Sequence, residues 1–174
     1  MNKKALIAMS GGVDSSVAAL LMQEQGYDCT GVTMKLFNNE DIGLPVMDSK
    51  CCSIDDINDA CSVCAKMGME HFTFNYGDRF RTEVIDRFIN AYMNGMTPNP
   101  CIDCNRYLKF GELFDKAKEL GCDYVVTGHY ARIQYDEAKG RYLLLKAVNP
   151  DKDQSYVLYS MTQHQLAHVQ FPLG

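Results

Sequence analysis

Seven consecutive residues, Ser10-Gly11-Gly12-Val13-Asp14-Ser15-Ser16, bring together two glycines, one carboxylate and three hydroxyls directly after the apolar run Ala5–Met9. Two adjacent glycines let a backbone turn tightly and expose its amides to an anion. Ser15 and Ser16 add hydroxyl donors where a following helix would present its positive end. Asp14 is out of place beside a polyanion unless Mg²⁺ stands between them. The segment lacks the lysine of G-x-x-x-x-G-K-[ST], which argues against a P-loop enzyme that cleaves a γ-phosphate.

Cysteine supplies the second set of reactive groups. Eight occur: Cys29, Cys51, Cys52, Cys61, Cys64, Cys101, Cys104 and Cys122. Cys101-Ile102-Asp103-Cys104 is a C-x-x-C pair among prolines, a spacing that suits a redox dithiol, a metal or an iron–sulfur site. Cys61-Ser62-Val63-Cys64 repeats that spacing inside an amphipathic stretch whose apolar face comprises Ile54, Ile57, Ala60, Cys61, Cys64 and Met67, so it reads as core packing. Cys29 and Cys122, at strand starts, read the same way, and Cys51-Cys52 carries no assigned chemistry. His164 and His168 lie four apart, but Gln165 follows His164 where H-E-x-x-H needs glutamate, which points to a solvated helix face. His129, between Gly128 and Tyr130, reads as functional.

Strand and helix alternate in the segments that must position these groups. Strands are expected at Ala5–Met9, Cys29–Phe37, Phe72–Asn75 and Tyr124–Thr127. Helices are expected over Ser15–Gln25, with Ala18, Val17, Leu20 and Leu21 on the packed face, and over Ser53–Met67, Arg79–Met93 and Leu108–Leu120. Gly26, Gly68 and Gly121 close three of them. Asn38–Lys50 reads as a polar connection and Gly95–Asn105 as a loop that exposes its cysteines. This order predicts an α/β fold, a twisted parallel sheet with helices on both faces. A hairpin, Ala131–Tyr135 with Arg141–Val148, and short helices at Asp153–Ser160 and Thr162–Val169 follow. No closing element is visible before Gly174, so the chain reads as a fragment.

The chain has 174 residues, 47% hydrophobic and 22% charged, which is ordinary globular composition with room for one sizeable core. No apolar run approaches a membrane span of roughly 18 residues, and Ala5–Met9 is too short for a signal-peptide core. The chain is therefore expected to be cytoplasmic, with no membrane partner. The formal charge of −5 shows no broad basic footprint for nucleic acid.

The glycine-rich segment resembles the PP-loop of the N-type ATP pyrophosphatases, which have an adenine nucleotide alpha-hydrolase-like fold. Their members include GMP, argininosuccinate and NAD synthetases and several tRNA-modifying enzymes. Three further stretches narrow the resemblance: Thr97-Pro98-Asn99-Pro100-Cys101-Ile102-Asp103-Cys104-Asn105, Thr127-Gly128-His129-Tyr130-Ala131-Arg132 and Asp151-Lys152-Asp153-Gln154-Ser155-Tyr156. With the PP-loop, in this order, they resemble the tRNA-specific 2-thiouridylase family across the whole chain. That implies ATP-dependent adenylation of the C2 oxygen of uridine 34, the tRNA wobble base. A protein-borne sulfur, brought by a sulfur-donor protein, then displaces AMP.

By the same resemblance, ATP contacts fall on Ala8, Met9, Ser10, Gly11, Gly12, Val13, Asp14 and Ser15, and on Met34 and Gly128. tRNA contacts fall on Asn99, Pro100, Cys101, His129, Lys152, Asp153 and Gln154. Cys104 matches the first catalytic cysteine. The second, persulfide-bearing cysteine lies beyond Gly174, in keeping with residues 1–174 being the PP-loop domain cut before central and C-terminal domains. Many members have aspartate where this chain has Cys101, which leaves Cys101 open to a cluster or redox role. ATP and Mg²⁺ are the implied cofactors, with an iron–sulfur cluster in the full-length protein as a further one. Two other readings stay open: another PP-loop ligase or amidotransferase, and a nucleotide-binding or iron–sulfur module without turnover.

Overall fold

The computed structural model describes residues 2–37 and 54–174, with only the backbone of residue 54. The 38–50 connection, Cys51, Cys52, the Ser53 cap and the Ile54 side chain lie outside the described residues. Five parallel strands form one sheet in the order β3-β2-β1-β4-β5, namely β1 Lys4–Ala8, β2 Asp28–Lys35, β3 Glu70–Asn75, β4 Tyr124–Val126 and β5 Val169–Gln170. The fifth is a correction. Val169 was expected in a helix and no closing element was expected, but Val169–Gln170 pairs in parallel with Val125–Val126 at the sheet edge. Two residues are too few to show a period.

Alternation along β1 decides the layers. Ala5, Ile7 and Met9 belong to the core on one face, and Leu6 to the core on the other. The first core is covered by α1 (Val13–Glu24) and α2 (Ile54–Lys66). The second is covered by the helices between β3 and β4, so both faces are buried as a parallel sheet requires.

Helix α1 buries Ser15, Ala18, Ala19 and Met22, an i, i+3, i+4, i+7 stripe. Of the expected face only Ala18 is buried: Val17 and Leu20 are 38% and 46% exposed, and Leu21 is half-buried. Two alanines on the inner side let the helix lie close to the sheet, and the larger side chains are left outside. On α2, Ala60 and Cys64 are buried and Cys61 is exposed, so only one cysteine of this pair packs in the core. A Cβ at Gly31 of β2 would stand 2.5 Å from Cys64 Sγ, which shows how tightly that thiol is seated.

Between β3 and β4 run two composite helices. The first is α3 (Gly77–Phe80), a π-helical turn at Arg81–Ile85 and α4 (Asp86–Met93). The second is α5 (Pro100–Asp103), a π-helical run at Cys104–Glu112 and α6 (Leu113–Glu119). Cys101 and Cys104 therefore lie in the first turns of a helix, where a loop to Asn105 was expected. Asn99 caps it by accepting the Cys101 N–H at 3.0 Å, and Pro100 occupies the first helical position. The hairpin is β6 Ala131–Asp136 with β7 Arg141–Lys146, followed by short 3₁₀ turns and α7 (Gln163–Ala167). No helix among the described residues is long and apolar enough to cross a membrane.

Candidate active site

Strand order fixes where a ligand can sit. From β1 the chain proceeds to β2 and β3 on one side, whereas β4 lies on β1's other side. The carboxyl ends of β1 and β4 thus flank a topological switch point, the place where open parallel sheets bind ligands. Ser10–Ser16 leaves β1 there, and Thr127-Gly128-His129 leaves β4 beside it.

The loop turns at Gly11, whose φ of 78° is left-handed, and Gly12 caps α1. A Cβ on Gly11 would stand 2.6 Å from the Asp56 carbonyl oxygen, and one on Gly128 would stand 2.9 Å from the Asp14 carbonyl carbon. The loop is wedged between the start of α2 and the end of β4, and only glycine permits either approach. Asp14 and Ser15 fall within the first turn of α1. The Ser15 hydroxyl donates to the Gly12 carbonyl at 3.0 Å and accepts the Ser10 N–H at 3.2 Å. The Ser16 hydroxyl also donates to Gly12. These bonds hold the loop in shape.

A cleft of about 510 Å³ opens over this loop, inside the roughly 300–1,000 Å³ range of ligand sites. Of the residues assigned to ATP, the cleft is lined by Ala8, Met9, Ser10, Gly11, Gly12, Asp14, Ser15, Met34 and Gly128; Val13 is 77% exposed and is not on the lining. Cys101 and Cys104 line the same cleft, the first exposed and the second half-buried. Phosphate loop and thiols therefore face one space.

The residues assigned to tRNA divide. His129 and Gln154 line the cleft with Cys101. Asn99 and Pro100 are exposed at the helix start, and Lys152 is exposed with its ammonium 5.8 Å from the Tyr130 ring centre. Asp153 serves its own turn, accepting the Ala147 N–H at 2.9 Å and the Ser155 hydroxyl at 2.9 Å. Those bonds, led by the Ala147 amide, hold its carboxyl below the ordinary value. Gln154 clamps the strand end: its Oε1 accepts the Tyr130 N–H at 3.0 Å, and its own N–H donates to the Tyr130 carbonyl at 2.9 Å.

His129 is buried between Phe110 and Phe171, with Nδ1 2.6 Å from the Thr127 hydroxyl. Burial first, and the nearby Lys109 charge second, drive its pKa down to about 3, so the imidazole is neutral at physiological pH. It can accept or donate a hydrogen bond but carries no charge to phosphate.

Four further residues bear on the site without having been singled out in the sequence: Asp56, Asn105 and Lys109 line the cleft, and Tyr130 reaches the cleft residue Asp14. The Tyr130 hydroxyl donates to Asp14 Oδ1 at 2.8 Å, which fixes the carboxylate and raises the phenol pKa. Asp56 lines the cleft from the first turn of α2, beside Gly11. Asn105 is 3% exposed, and its Oδ1 has no hydrogen-bond partner among the described residues. An unpaired buried acceptor costs about 1–3 kcal/mol. Lys109 is half-buried on the cleft wall. Asn105 and Lys109 share a signal, the helix beginning at Asn99-Pro100, which the proline-rich surroundings concealed. Among the described residues no three His, Cys, Asp or Glu side chains gather as a metal-binding group.

Known proteins with similar sequences agree with this architecture. Residues 3–174 match the profile described as the tRNA methyl transferase HUP domain. The chain is 52% identical over its full length to the tRNA-specific 2-thiouridylase MnmA of Clostridioides difficile, covering 48% of that protein. It is 48% identical to the protein of the same name from Acetivibrio thermocellus, with 99% of this chain and 48% of the relative covered. The chain thus spans about half the length of these relatives. A predicted subunit of tRNA methyltransferase from Methanocaldococcus jannaschii shares the fold, with a TM-score of 0.55 over 98% of this chain and 68% of that one, at 13% identity. With a parallel sheet, a glycine-rich loop at its switch point and a profile match over nearly every residue, the chain belongs to the tRNA methyl transferase HUP domain family.

Proposed function

We propose that this chain is the PP-loop domain of a tRNA-specific 2-thiouridylase, and that it adenylates a wobble uridine and directs sulfur onto it. The observation that carries the reading is the shared cleft: the Ser10–Ser15 loop and the Cys101/Cys104 pair line one space. Relatives at about half identity bearing the 2-thiouridylase name support it. Since the chain spans half of their length, the rest of the protein supplies most of the tRNA surface, the sulfur-donor docking site and the second cysteine.

In this reading ATP lies with its phosphates against the amides of Gly11 and Gly12 and the start of α1, and its nucleoside toward Met34 and Gly128. The uridine C2 oxygen attacks the α-phosphorus, the bond to the bridging oxygen breaks, and pyrophosphate leaves. Adenylation converts a poor oxygen leaving group into AMP. Asp14, held by Tyr130, is the residue that would hold Mg²⁺, which would offset phosphate charge. Asn99, Pro100, Cys101 and His129 form the wall toward the base, and Lys152 stands at the rim for the RNA backbone. Cys104, as a thiolate, attacks the inner sulfur of the persulfide on the second cysteine, forming a disulfide and expelling the outer sulfur as hydrosulfide, which displaces AMP from the adenylated base.

The C-x-x-C pair favours a second reading of the sulfur step, in which Cys101 and Cys104 hold two positions of an iron–sulfur cluster. Two thiols are all that these described residues bring to the cleft, so a further ligand would come from the remainder of the protein. Cys104→Ser in the full-length protein should abolish thiolation under either route while leaving ATP binding intact. Anaerobic Cys101→Asp separates them. Wild-type thiolation with no iron supports persulfide transfer, and loss of both iron and thiolation supports the cluster.

A further inference from the structure

The phosphate loop lacks a lysine, and Asp14 is engaged by Tyr130. A triphosphate carries about four negative charges, more than one Mg²⁺ at Asp14 would offset, so a protein cation elsewhere in the cleft would add to the amides and the helix end. Among the described residues lining it, Lys109 is the only lysine or arginine. Its ammonium has no carboxylate partner among the described residues, whose ion pairs all lie elsewhere. An incoming anion would give this side chain its counter-ion.

The local helix geometry explains how Lys109 reaches the site. Lys109 follows Cys104 by five positions inside the π-helical run Cys104–Glu112. In an α-helix, five positions rotate a side chain about 140° around the axis. The i→i+5 pitch of a π-helix brings them back toward one face, and π-turns recur at functional sites. Cys104, Asn105 and Lys109 all line the cleft accordingly. A second observation places this charge close to the end of β4: it acts on the buried His129, which stands next to Gly128.

We infer that Lys109 is the cationic side chain of the nucleotide site and binds the triphosphate of ATP together with the Ser10–Ser15 loop, in place of the absent loop lysine. This inference rests on the ATP reading above. The test is equilibrium dialysis of the full-length protein with labelled ATP and, separately, labelled adenosine. Lys109→Met should weaken ATP binding about ten- to a hundredfold, the range for a lost charge-assisted contact, and leave adenosine binding within about twofold. Lys109→Arg, which keeps the charge, should retain most ATP affinity. Retained adenosine binding also reports a folded variant. The inference is overturned if Lys109→Met binds ATP as wild type does, or if it loses ATP and adenosine equally, as a merely structural lysine would. A wild-type protein that binds no ATP would refute the ATP reading itself, and this inference with it.

Discussion

At the scale of single residues, Gly128 and His129 make the sharpest predictions. Gly128→Ala drives a Cβ to 2.9 Å from the Asp14 carbonyl carbon and 3.0 Å from the Ser15 nitrogen, so backbone must move. It should cost about 1–3 kcal/mol of stability and weaken ATP binding, read by urea melts and nucleotide titration. For stability alone, Gly12→Ala is the matched control, because its Cβ would meet only Ser10 Oγ, at 3.5 Å. His129 governs acid sensitivity. Its folded pKa of about 3 lies below the ordinary 6.5, so the unfolded chain binds the extra proton between those values. The stability that depends on neutral His129 is complete above about pH 6.5 and falls by about 1.4 kcal/mol per pH unit toward pH 3. His129→Gln should flatten that slope in urea melts from pH 4 to 7; an unchanged slope would assign it to other groups. The motif around His129 was visible in the sequence. Its burial was not, because Phe110 and Phe171 reach it from distant parts of the chain.

Among elements, the composite helix from Pro100 to Glu119 matters most, since it carries Cys101, Cys104, Asn105 and Lys109. Its start depends on Asn99, which accepts the Cys101 N–H. Asn99→Ala should cost about 1 kcal/mol of stability. It should also loosen the cysteine turn, detectable as faster alkylation of Cys104 in native protein, whereas an unchanged rate would mean that packing alone holds the turn. Asn99-Pro100 is a helix-start signal, yet with Pro98 beside it the segment reads as loop. Helix α1 went astray differently. Its length was legible, but its packed face is set by which residues let it approach the sheet. Alanine and serine won that position over valine and leucine. The fifth strand was hidden because two residues take their conformation from the strand beside them.

Across the whole molecule, strand–helix order was enough to predict a parallel sheet covered on both faces. It did not give the strand order, and strand order is what joins residues 10–16, 101–109 and 127–130 around one cleft. The net charge of −5 bears on the partner. Phosphate contacts supply most nonspecific nucleic-acid affinity, so residues 1–174 alone should bind tRNA no tighter than about micromolar at physiological salt. Sub-micromolar binding by filter assay would contradict this. The proposed role of the loop at the switch point is to direct ATP cleavage between the α and β phosphates. The most direct measurement is phosphorus NMR of the products formed by full-length protein with ATP, Mg²⁺ and tRNA. AMP and pyrophosphate should appear in equal amounts, whereas ADP with inorganic phosphate as the primary products would rule out cleavage at the α phosphorus.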